Sequence, residues 1–395
     1  MNLASLASSL TADADNIESE CSRIDTTISA ERGLSYSLSE TEQVFDVDGP
    51  LAAAISPATG IVLVVVDAVV WRTWAPEIER FFSEVATGHR IVVMSGGEAN
   101  KGLQSALEVI RHMDECNTLR RSTPVVAIGG GVVCDLVGFA ASIYRRGVPY
   151  LRVPTTLLAQ VDVSVAIKTG VNHGGYRNRI GTFWPADLTV IDRAFLATQS
   201  VEQISQGLGE IFKLALIKSE PLFRALEHIP HDWSPNWLVD SDAAANMIRL
   251  AMSEMSSDLQ NNLWEENLAR CVDFGHSFSP LIEMRNGIHH GHAVALDCLL
   301  TSCIAANRGF IAPAQIQRIV AVMRRCALPT AHADFANVDF LWESFTETVR
   351  HRDGKQHLPA PTGLGRHTFI EDLSRNELAP AVALMQRVSQ DHSDD

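Results

Sequence analysis

The chain has 395 residues, of which 46% are hydrophobic and 20% are charged, a composition that excludes disorder over most of its length. Its 32 Lys and Arg residues against 47 Asp and Glu residues give a formal net charge of −15. Such a chain has no basic surplus to offer a nucleic acid or an anionic membrane, so we expect neither as a partner. At about 150 residues per domain, the length predicts two to three domains.

The sequence also carries predictions about location. It contains no run of about 18 apolar residues, so no membrane span is predicted. Its first residues, MNLASLASSLTADADN, have neither a basic start nor a long apolar stretch, and no signal peptide is predicted. The seven cysteines are scattered and never spaced as Cys-x-x-Cys, which is typical of reduced thiols. We therefore expect a cytoplasmic protein.

The first half of the chain predicts an α/β architecture. Residues 1–35 are rich in Ser, Ala, Asp and Glu, and we expect them to form a variable or mobile extension. Short runs rich in Val, Ile and Leu then follow, and such runs are typical of parallel strands buried on both faces. They lie at 61–66, 91–94, 125–128, 151–153 and 188–191. Helix-like stretches between them, such as 102–115 and 132–143, predict a doubly wound parallel sheet.

The second half predicts helices only. After about residue 200 the strand-like runs stop, and residues 231–242 interrupt the helical pattern as a loop. The predicted helices are 203–229, 242–262, 276–285, 292–308, 313–326 and 338–350. We therefore predict an α/β nucleotide-binding domain over 36–200, an all-helical domain over 201–385 and a disordered tail over 386–395.

Two features at predicted strand ends suggest a nucleotide site. Gly129-Gly130-Gly131 follows a strand and opens a helix, where glycines let the backbone approach a pyrophosphate. The sequence GGGVVCD is not the Gly-x-Gly-x-x-Gly fingerprint, so an ordinary turn is the alternative. Asp67 also ends a strand and is suited either to a ribose or to capping the next helix. Glu98 and Lys101, in SGGEANK, are equally ambiguous alone.

Basic residues concentrate in one segment of this acidic chain. Lys168 lies near Arg177, Asn178 and Arg179, which we place in a polar loop able to grip a phosphate. An ordinary solvated loop is the alternative.

A metal site is suggested by one glutamate and several histidines. Glu210 lies three residues before Lys213, so both project from one helix face. His276 lies in DFGHSFSP, and the segment IHHGHAV holds His289, His290 and His292. A catalytic zinc takes three N or O ligands and keeps one position open. One Glu and two His fit that count, but spacing alone does not choose among the histidines.

Taken together, these segments resemble the sugar phosphate cyclases, the superfamily of 3-dehydroquinate synthase. The resemblance spans residues 60–375. It is carried by SGGEANK (95–101), IGGGVVCDLVGFAASIYRRG (128–147), VPTTLLAQVDVSVAIKTGVN (153–172), RNRIGTFWP (177–185), GLGEIFK (207–213), DFGHSFSP (273–280) and HHGHAVA (289–295).

Departures from the dehydroquinate synthase pattern indicate one branch. Ala269, Asp273 and Pro280 replace the Arg, Asn and His that hold a carboxylate-bearing substrate, and AIKTGVNHG replaces GGKTAID. NLWE (262–265), DFGHSFSP and HRDGKQHLPAP (351–361) resemble the branch that cyclises sedoheptulose 7-phosphate. His292 stands where the family usually has Glu.

The resemblance implies roles for individual residues. The metal, Zn²⁺ or Co²⁺, would be held by Glu210, His276 and His290, with His290 in the family's His-Gly position. NAD would contact Asp67, Glu98, Lys101, Gly130, Gly131, Asp135, Thr155, Thr156, Lys168, Arg177 and Thr198. The sugar phosphate would meet Asp162, Lys168, Asn178, Lys213 and Asp273. Arg146 would reach the phosphate of a neighbouring subunit, which implies a homodimer, and Arg350 or Arg352 stands near a family lysine.

The implied reaction converts sedoheptulose 7-phosphate to the C7 cyclitol 2-epi-5-epi-valiolone. Transient oxidation by NAD, phosphate elimination, re-reduction and an intramolecular aldol step follow one another. We expect Asp273 to repel a carboxylate and to bond a sugar hydroxyl. Three alternatives remain: a sister cyclase making 2-epi-valiolone or desmethyl-4-deoxygadusol, a metal-dependent NAD polyol dehydrogenase of the same fold, and a non-catalytic binding protein.

Overall fold

The main sheet has six strands, and all of its neighbouring strands run parallel. The computed structural model describes residues 33–390, so most of the predicted extension, 1–32, lies outside the described residues. The strands lie in the order β1-β8-β5-β4-β2-β3. They are β1 (Ser37–Thr41), β2 (Val62–Asp67), β3 (His89–Met94), β4 (Val125–Gly129), β5 (Tyr150–Pro154) and β8 (Leu188–Asp192). The predicted parallel sheet is therefore confirmed. Strand β1 was not predicted, because its sequence SLSET lacks a Val/Ile run and forms the edge beside β8.

Alternate residues of β2 pack into two different layers, which explains its unbroken run of apolar side chains. Val64 and Val66 pack with Phe81 and Phe82 on one face, and Val65 packs with residues of two other helices on the opposite face. The helices of these layers are α1 (Pro50–Ile55), α2 (Ala68–Val85), α3 (Leu103–Glu115) and α4 (Gly131–Ile143). Burial on both faces makes strict alternation unnecessary.

A β-hairpin leaves the sheet between β5 and β8 and carries several of the predicted site residues. Its strands are β6 (Lys168–His173) and β7 (Tyr176–Phe183), and Gly174 and Gly175 form the turn. The polar loop predicted for this segment was therefore wrong. The hairpin contacts the segment after β3, because the Asn172 amide donates to the Lys101 carbonyl oxygen at 2.7 Å.

The helical half follows from Ser200, whose hydroxyl caps the first long helix in a reciprocal pair with Gln203. The helices are α5 (Val201–Ile217), α6 (Glu220–Glu227), α7 (Pro235–Asp240), α8 (Asp242–Leu259), α9 (Ser279–Asn286), α10 (His290–Asn307), α11 (Pro313–Arg325), α12 (Val338–His351) and α13 (Leu378–Gln390). They share one apolar core that also takes in Leu157 and Val161. None of the helices in residues 33–390 is long and apolar enough to cross a membrane.

Three details of this half differ from the sequence-based expectation. The predicted loop at 231–242 contains the short helix α7. Strands β9 (Leu358–Gly363) and β10 (Arg366–Ile370) pair as an antiparallel hairpin, so the half is not entirely helical. The prolines of LPAPTG concealed β9, since proline is tolerated in such an edge position. Helix α13 continues to Gln390, so residues 386–390 are helical, whereas 391–395 lie outside the described residues.

Candidate active site

Helices α5 and α10 approach each other through two glycines, and this contact sets up the site. A Cβ atom on Gly291 would lie 1.9 Å from the Gln206 carbonyl oxygen, and one on Gly209 would lie 2.3 Å from the Gly291 carbonyl oxygen. Only glycine allows backbones to come this close. Glu210 follows Gly209 and His290 precedes Gly291, so the approach brings these two side chains together.

Glu210, His276 and His290 form a cluster whose ligand atoms all lie within 4.8 Å of one another. Oε1 of Glu210 is 3.2 Å from Nε2 of His290 and 4.0 Å from Nε2 of His276. The two imidazole centroids are 5.3 Å apart. Glu210 is fully buried, and its Oε1, the oxygen that faces both imidazoles, has no hydrogen-bond partner within the described residues. A buried carboxylate oxygen that faces two imidazoles fits a divalent cation such as Zn²⁺ or Co²⁺.

The outer nitrogens of both imidazoles have acceptors, which fixes the tautomer. Nδ1 of His276 donates to the Phe274 carbonyl oxygen at 3.2 Å, and Nδ1 of His290 donates to Oε2 of Glu283 at 3.0 Å. Because these acceptors take the Nδ1 proton, each neutral ring presents the lone pair of Nε2 towards Glu210. Both histidines are thus arranged as ligands of one centre.

Lys213 lies one helical turn after Glu210 and is almost as deeply buried. Its Nζ is 2.5 Å from Oε2 of Glu210. Although burial opposes it, the Lys213 charge with the two imidazoles holds the pKa of Glu210 well below its usual range. Against the same burial, the carboxylates of Glu210 and Asp162 raise the pKa of Lys213. The pair therefore stays charged, which suits a ligand carboxylate and a cationic group facing a phosphate-bearing substrate.

The two histidines differ in their electrostatic surroundings. Burial, with the nearby Lys213 charge, lowers the pKa of His276 to about 4. Burial also disfavours charge on His290, but the carboxylates of Glu283 and Glu210 raise its pKa to about 10. A cation entering the cluster would displace a proton from His290, as metal binding to a protonated ligand requires.

Asp67, Gly130 and Thr155 lie at or just after the carboxyl ends of β2, β4 and β5, and the strand order reverses between β2 and β4. Asp67 Oδ1 accepts a hydrogen bond from the Val69 amide at 2.7 Å. This carboxylate therefore caps α2, which was one of the two roles predicted for it. A Cβ atom on Gly129 would lie 3.1 Å from the Asp67 Cβ, which places Asp67 beside the glycine turn. Gly130 is the N-cap of α4 and brings no side-chain acceptor to its amides, an arrangement that fits a pyrophosphate.

The other expected nucleotide residues pair largely with one another. Lys101 Nζ is 2.5 Å from Asp135 Oδ2 and donates to Asn178 Oδ1 at 2.6 Å. Arg177 Nε donates to Glu98 Oε1 at 2.8 Å. Burial opposes ionisation of Glu98, yet the Arg177 hydrogen bond and charge lower its pKa to about 2. The structure therefore brings the SGGEANK segment, α4 and the β6–β7 hairpin together.

The threonines and Asp162 lie in or beside the segment after β5. Thr155 is buried, and Thr156 Oγ1 accepts the Ala159 amide at 3.2 Å. Asp162 lies in the π-helical turn Ala159–Val163, a type of turn often found at functional sites. Thr198 donates to the Phe195 carbonyl oxygen at 2.9 Å.

Asp273 is held by two arginines, and this corrects the electrostatic expectation for it. Arg270 Nη2 is 2.9 Å from Asp273 Oδ1, and Arg352 Nη2 is 3.3 Å from Asp273 Oδ2. A carboxylate neutralised by two guanidinium groups does not act as a free negative charge that repels a carboxylate. Glu265 beside Arg270 adds a further negative charge to this group.

Several histidine and arginine candidates lie away from the cluster. His289 Nε2 is 3.3 Å from Glu202 Oε1, and His292 Nε2 is 3.2 Å from Ser205 Oγ. The α5–α10 contact thus leaves only His290 of the three facing Glu210. Arg146 is exposed, and its backbone is left-handed with φ of 64°. Within residues 33–390 it forms no ion pair with a carboxylate.

Two glutamates enter the site without having been singled out by sequence. Glu265 Oε1 is 2.8 Å from Lys168 Nζ, although NLWE had been noted only as a branch motif. The charges of Lys168 and Arg270 hold the pKa of Glu265 below its usual value despite burial. Glu283 contacts His290 from α9. Its spacing of seven residues from both His276 and His290 was an available signal.

Two family models match this chain in succession. The model described as 3-dehydroquinate synthase N-terminal matches residues 91–206, and the model described as 3-dehydroquinate synthase C-terminal matches residues 207–353. The chain belongs to the 3-dehydroquinate synthase family. Membership of this family confirms the superfamily resemblance inferred from the motifs.

Individual members of the family are similar over nearly the whole chain. The 2-epi-5-epi-valiolone synthase of Streptomyces albus is 41% identical over 91% of this chain and 90% of its own length. The demethyl-4-deoxygadusol synthase of Trichormus variabilis is 32% identical over 89% of this chain and 87% of its own. A solved structure of ValA, a 2-epi-5-epi-valiolone synthase from Streptomyces hygroscopicus subsp. jinggangensis with NAD⁺ and Zn²⁺ bound, is 37% identical. It covers 92% of this chain and 99% of its own, with a TM-score of 0.86.

Proposed function

We propose that this chain is a sugar phosphate cyclase that converts sedoheptulose 7-phosphate to 2-epi-5-epi-valiolone and releases phosphate. One observation carries the proposal: the buried cluster of Glu210, His276 and His290 adjoins Lys213. The product is that named for the 41% identical synthase of Streptomyces albus. NAD and one divalent cation, Zn²⁺ or Co²⁺, are the proposed cofactors. Glu210, His276 and His290 would hold the cation, and the residues around Asp67, Gly130 and Gly131 would hold NAD.

The cofactors and the chain divide the chemistry between them. When bound, the cation supplies Lewis acidity to the substrate hydroxyls, and NAD⁺ supplies a hydride acceptor that is restored within each turnover. Glu210, with its low pKa, stays ionised as a ligand. His276 and His290, fixed through their Nδ1 protons, keep Nε2 aimed at the same point.

The chain's cationic groups orient the phosphate. Lys213 is buried beside the cluster, and Lys168 lies on β6 with its ammonium held by Glu265. Charge-assisted hydrogen bonds from these lysines place the phosphate for departure. Elimination breaks the C–O bond to phosphate, and the neighbouring C–H loses its proton to the departing phosphate. After re-reduction and opening of the ring, a C–C bond forms between the carbonyl carbon and the enol carbon of the same molecule.

A polyol dehydrogenase is disfavoured by this set of lysines. A simple polyol needs no buried cation next to the cluster, whereas a phosphate does. Lys213 is 3% exposed as a side chain and lies beside the cluster, where its ammonium can donate a charge-assisted hydrogen bond to a phosphate. The same cluster also disfavours a non-catalytic protein, because one Glu and two His that converge on one point are the ligand set of a catalytic metal.

A homodimer with a shared site and a cytoplasmic location complete the proposal. Arg145 and Arg146 adopt consecutive left-handed conformations, with φ of 50° and 64°, and both are exposed. Such strain in a non-glycine pair is retained where it serves a site. Since Arg146 has no acidic partner within the described residues, we assign it to the phosphate of the neighbouring subunit. The six described cysteines are free, in keeping with a reducing compartment.

The proposal is tested by incubating the purified protein with NAD⁺, Zn²⁺ or Co²⁺, and sedoheptulose 7-phosphate. We expect release of phosphate and an NMR spectrum of 2-epi-5-epi-valiolone, with Lys213→Met inactive. The matched control is Lys218→Met, because Lys218 directly follows the last residue of the same helix but pairs with Asp258. Turnover of only the dehydroquinate synthase substrate would contradict the proposal. Formation of a different cyclitol would show that the proposed product is wrong.

A further inference from the structure

Glu283 contacts the outer face of the His290 imidazole and is nearly inaccessible to solvent. Its Oε2 accepts the Nδ1 proton of His290 at 3.0 Å, and its side chain is 3% exposed. It lies on α9, whereas His290 is the first residue of α10. This carboxylate therefore reaches a ligand side chain from a different helix.

Glu283 is not suited to be a further ligand of the same cation. Glu210 faces Nε2 of His290, whereas Glu283 faces Nδ1, and these two nitrogens point in different directions from the ring. The clustered ligand atoms come from Glu210, His276 and His290 alone among the described residues. Glu283 instead occupies the place of the outer acceptor that orients a ligating imidazole.

Glu283 is itself held by Arg177 from the β6–β7 hairpin. The Arg177 guanidinium pairs with Glu283 Oε2 through Nη1, and through Nε and Nη2 it pairs with Glu98 at 2.8 Å. Asn172 Nδ2 also donates to Glu98 Oε1 at 2.8 Å. A continuous set of charged contacts thus runs from the segment after β3 to the ligand His290.

We propose that Glu283 is a positioning residue that orients His290 for the cation, and that Arg177 holds Glu283 in place. The inference rests on the metal centre of the proposed function. Glu283 accepts the Nδ1 proton, which leaves Nε2 as the nitrogen for the cation, and it limits rotation of the ring. The Arg177 contact prevents the Glu283 carboxylate from turning away.

The test measures the affinity for Zn²⁺ directly, by competition with a chromogenic chelator, and needs no substrate. We expect Glu283→Ala to raise the dissociation constant for Zn²⁺ by about 10- to 100-fold. Glu283→Gln, whose amide oxygen still accepts from Nδ1, should give a smaller rise and keeps the test available if the alanine variant does not fold. Arg177→Met should also give a smaller rise than Glu283→Ala. The matched control is Glu343→Gln, because the exposed Glu343 pairs with Arg285, two residues from Glu283.

A second readout separates positioning from general support of the fold. Bound Co²⁺ has visible absorption bands that depend on the geometry of its ligands, and we expect altered bands in Glu283→Ala but not in Glu343→Gln. Wild-type affinity and unchanged bands in Glu283→Ala would overturn the inference while leaving the proposed function intact. Absence of Zn²⁺ and Co²⁺ binding by the wild type would overturn the metal centre itself, and the inference with it.

Discussion

Gly209 and Gly291 stand face to face where α5 crosses α10, and a Cβ on Gly209 would lie 2.3 Å from the Gly291 carbonyl oxygen. This contact decides the distance between Glu210 and His290, whose facing atoms are 3.2 Å apart. The metal cluster is therefore a consequence of helix packing as well as of residue type.

Substituting Gly291 by Ala tests this dependence. The added methyl would lie 1.9 Å from the Gln206 carbonyl oxygen, so the helices must separate. We expect the free energy of unfolding to fall by about 3 kcal/mol and the affinity for Zn²⁺ to fall with it. Denaturant unfolding and chelator competition measure the two effects. Gly88→Ala is the control, since its Cβ would meet only Ile61 at 3.7 Å. Equal losses of stability and of Zn²⁺ affinity in both variants would show that the α5–α10 contact does not set the metal cluster.

Asp297 predicts a pH dependence of stability. This fully buried carboxylate on α10 accepts the amides of Ser277, Phe278 and Ser279 at 2.9, 2.6 and 2.9 Å, next to His276. Burial raises its pKa from 3.8 to about 6. The folded state therefore binds this proton more tightly than the unfolded state, and the stabilisation is complete below pH 3.8 and lost as the pH rises through about 6.

The expected size follows from the same shift. Between about pH 4 and pH 7, the free energy of unfolding of the wild type should fall by about 2 kcal/mol relative to Asp297→Asn, which cannot ionise. Denaturant unfolding with a chelator present measures this difference. The exposed Asp240→Asn should follow the wild type. If the free energy of unfolding depends on pH in the same way in the wild type and in Asp297→Asn, Asp297 does not titrate in this range.

Asp273 predicts a change of substrate preference. Removing its carboxylate in Asp273→Ala leaves Arg270 and Arg352 with less compensating negative charge. We expect the ratio of kcat/KM for the carboxylate-bearing dehydroquinate synthase substrate over that for sedoheptulose 7-phosphate to rise on the order of tenfold. Asp372→Asn, at an exposed pair with Arg308, is the control. A ratio unchanged from that of the wild type would exclude Asp273 from substrate selection.

Arg146 predicts complementation between subunits. Arg146→Ala should be nearly inactive, whereas Arg145→Ala, at the adjacent exposed arginine, should keep its activity. Co-expression of Arg146→Ala with the ligand variant Glu210→Ala should restore about a quarter of the wild-type activity. Half of randomly formed dimers are mixed, and each mixed dimer holds one complete site. If no activity returns although mixed dimers are isolated, Arg146 does not act across subunits.

The sequence predicted the main sheet because its signal is local. The Val/Ile run of β2 has both faces buried in the structure, so composition alone marked it as a parallel strand. The Gly174-Gly175 pair was an equally local hairpin signal, but the polar residues around it favoured a loop and concealed β6 and β7.

The local sequence could not predict which of the three neighbouring histidines faces Glu210. His289, His290 and His292 have the same chemistry, and only the approach of α5 to α10 turns His290 towards Glu210. The family motif gave His290 by resemblance. The pairing of Asp273 with Arg352 depends on a contact across 79 residues, which no spacing rule predicts.

Simultaneous recording of phosphate release and NADH absorbance distinguishes a sugar phosphate cyclase from a dehydrogenase. With sedoheptulose 7-phosphate, catalytic NAD⁺ and Zn²⁺ or Co²⁺, we expect many equivalents of phosphate per enzyme and no net accumulation of NADH. Accumulation of NADH in step with consumption of the sugar, without phosphate release, would contradict it and establish a dehydrogenase instead.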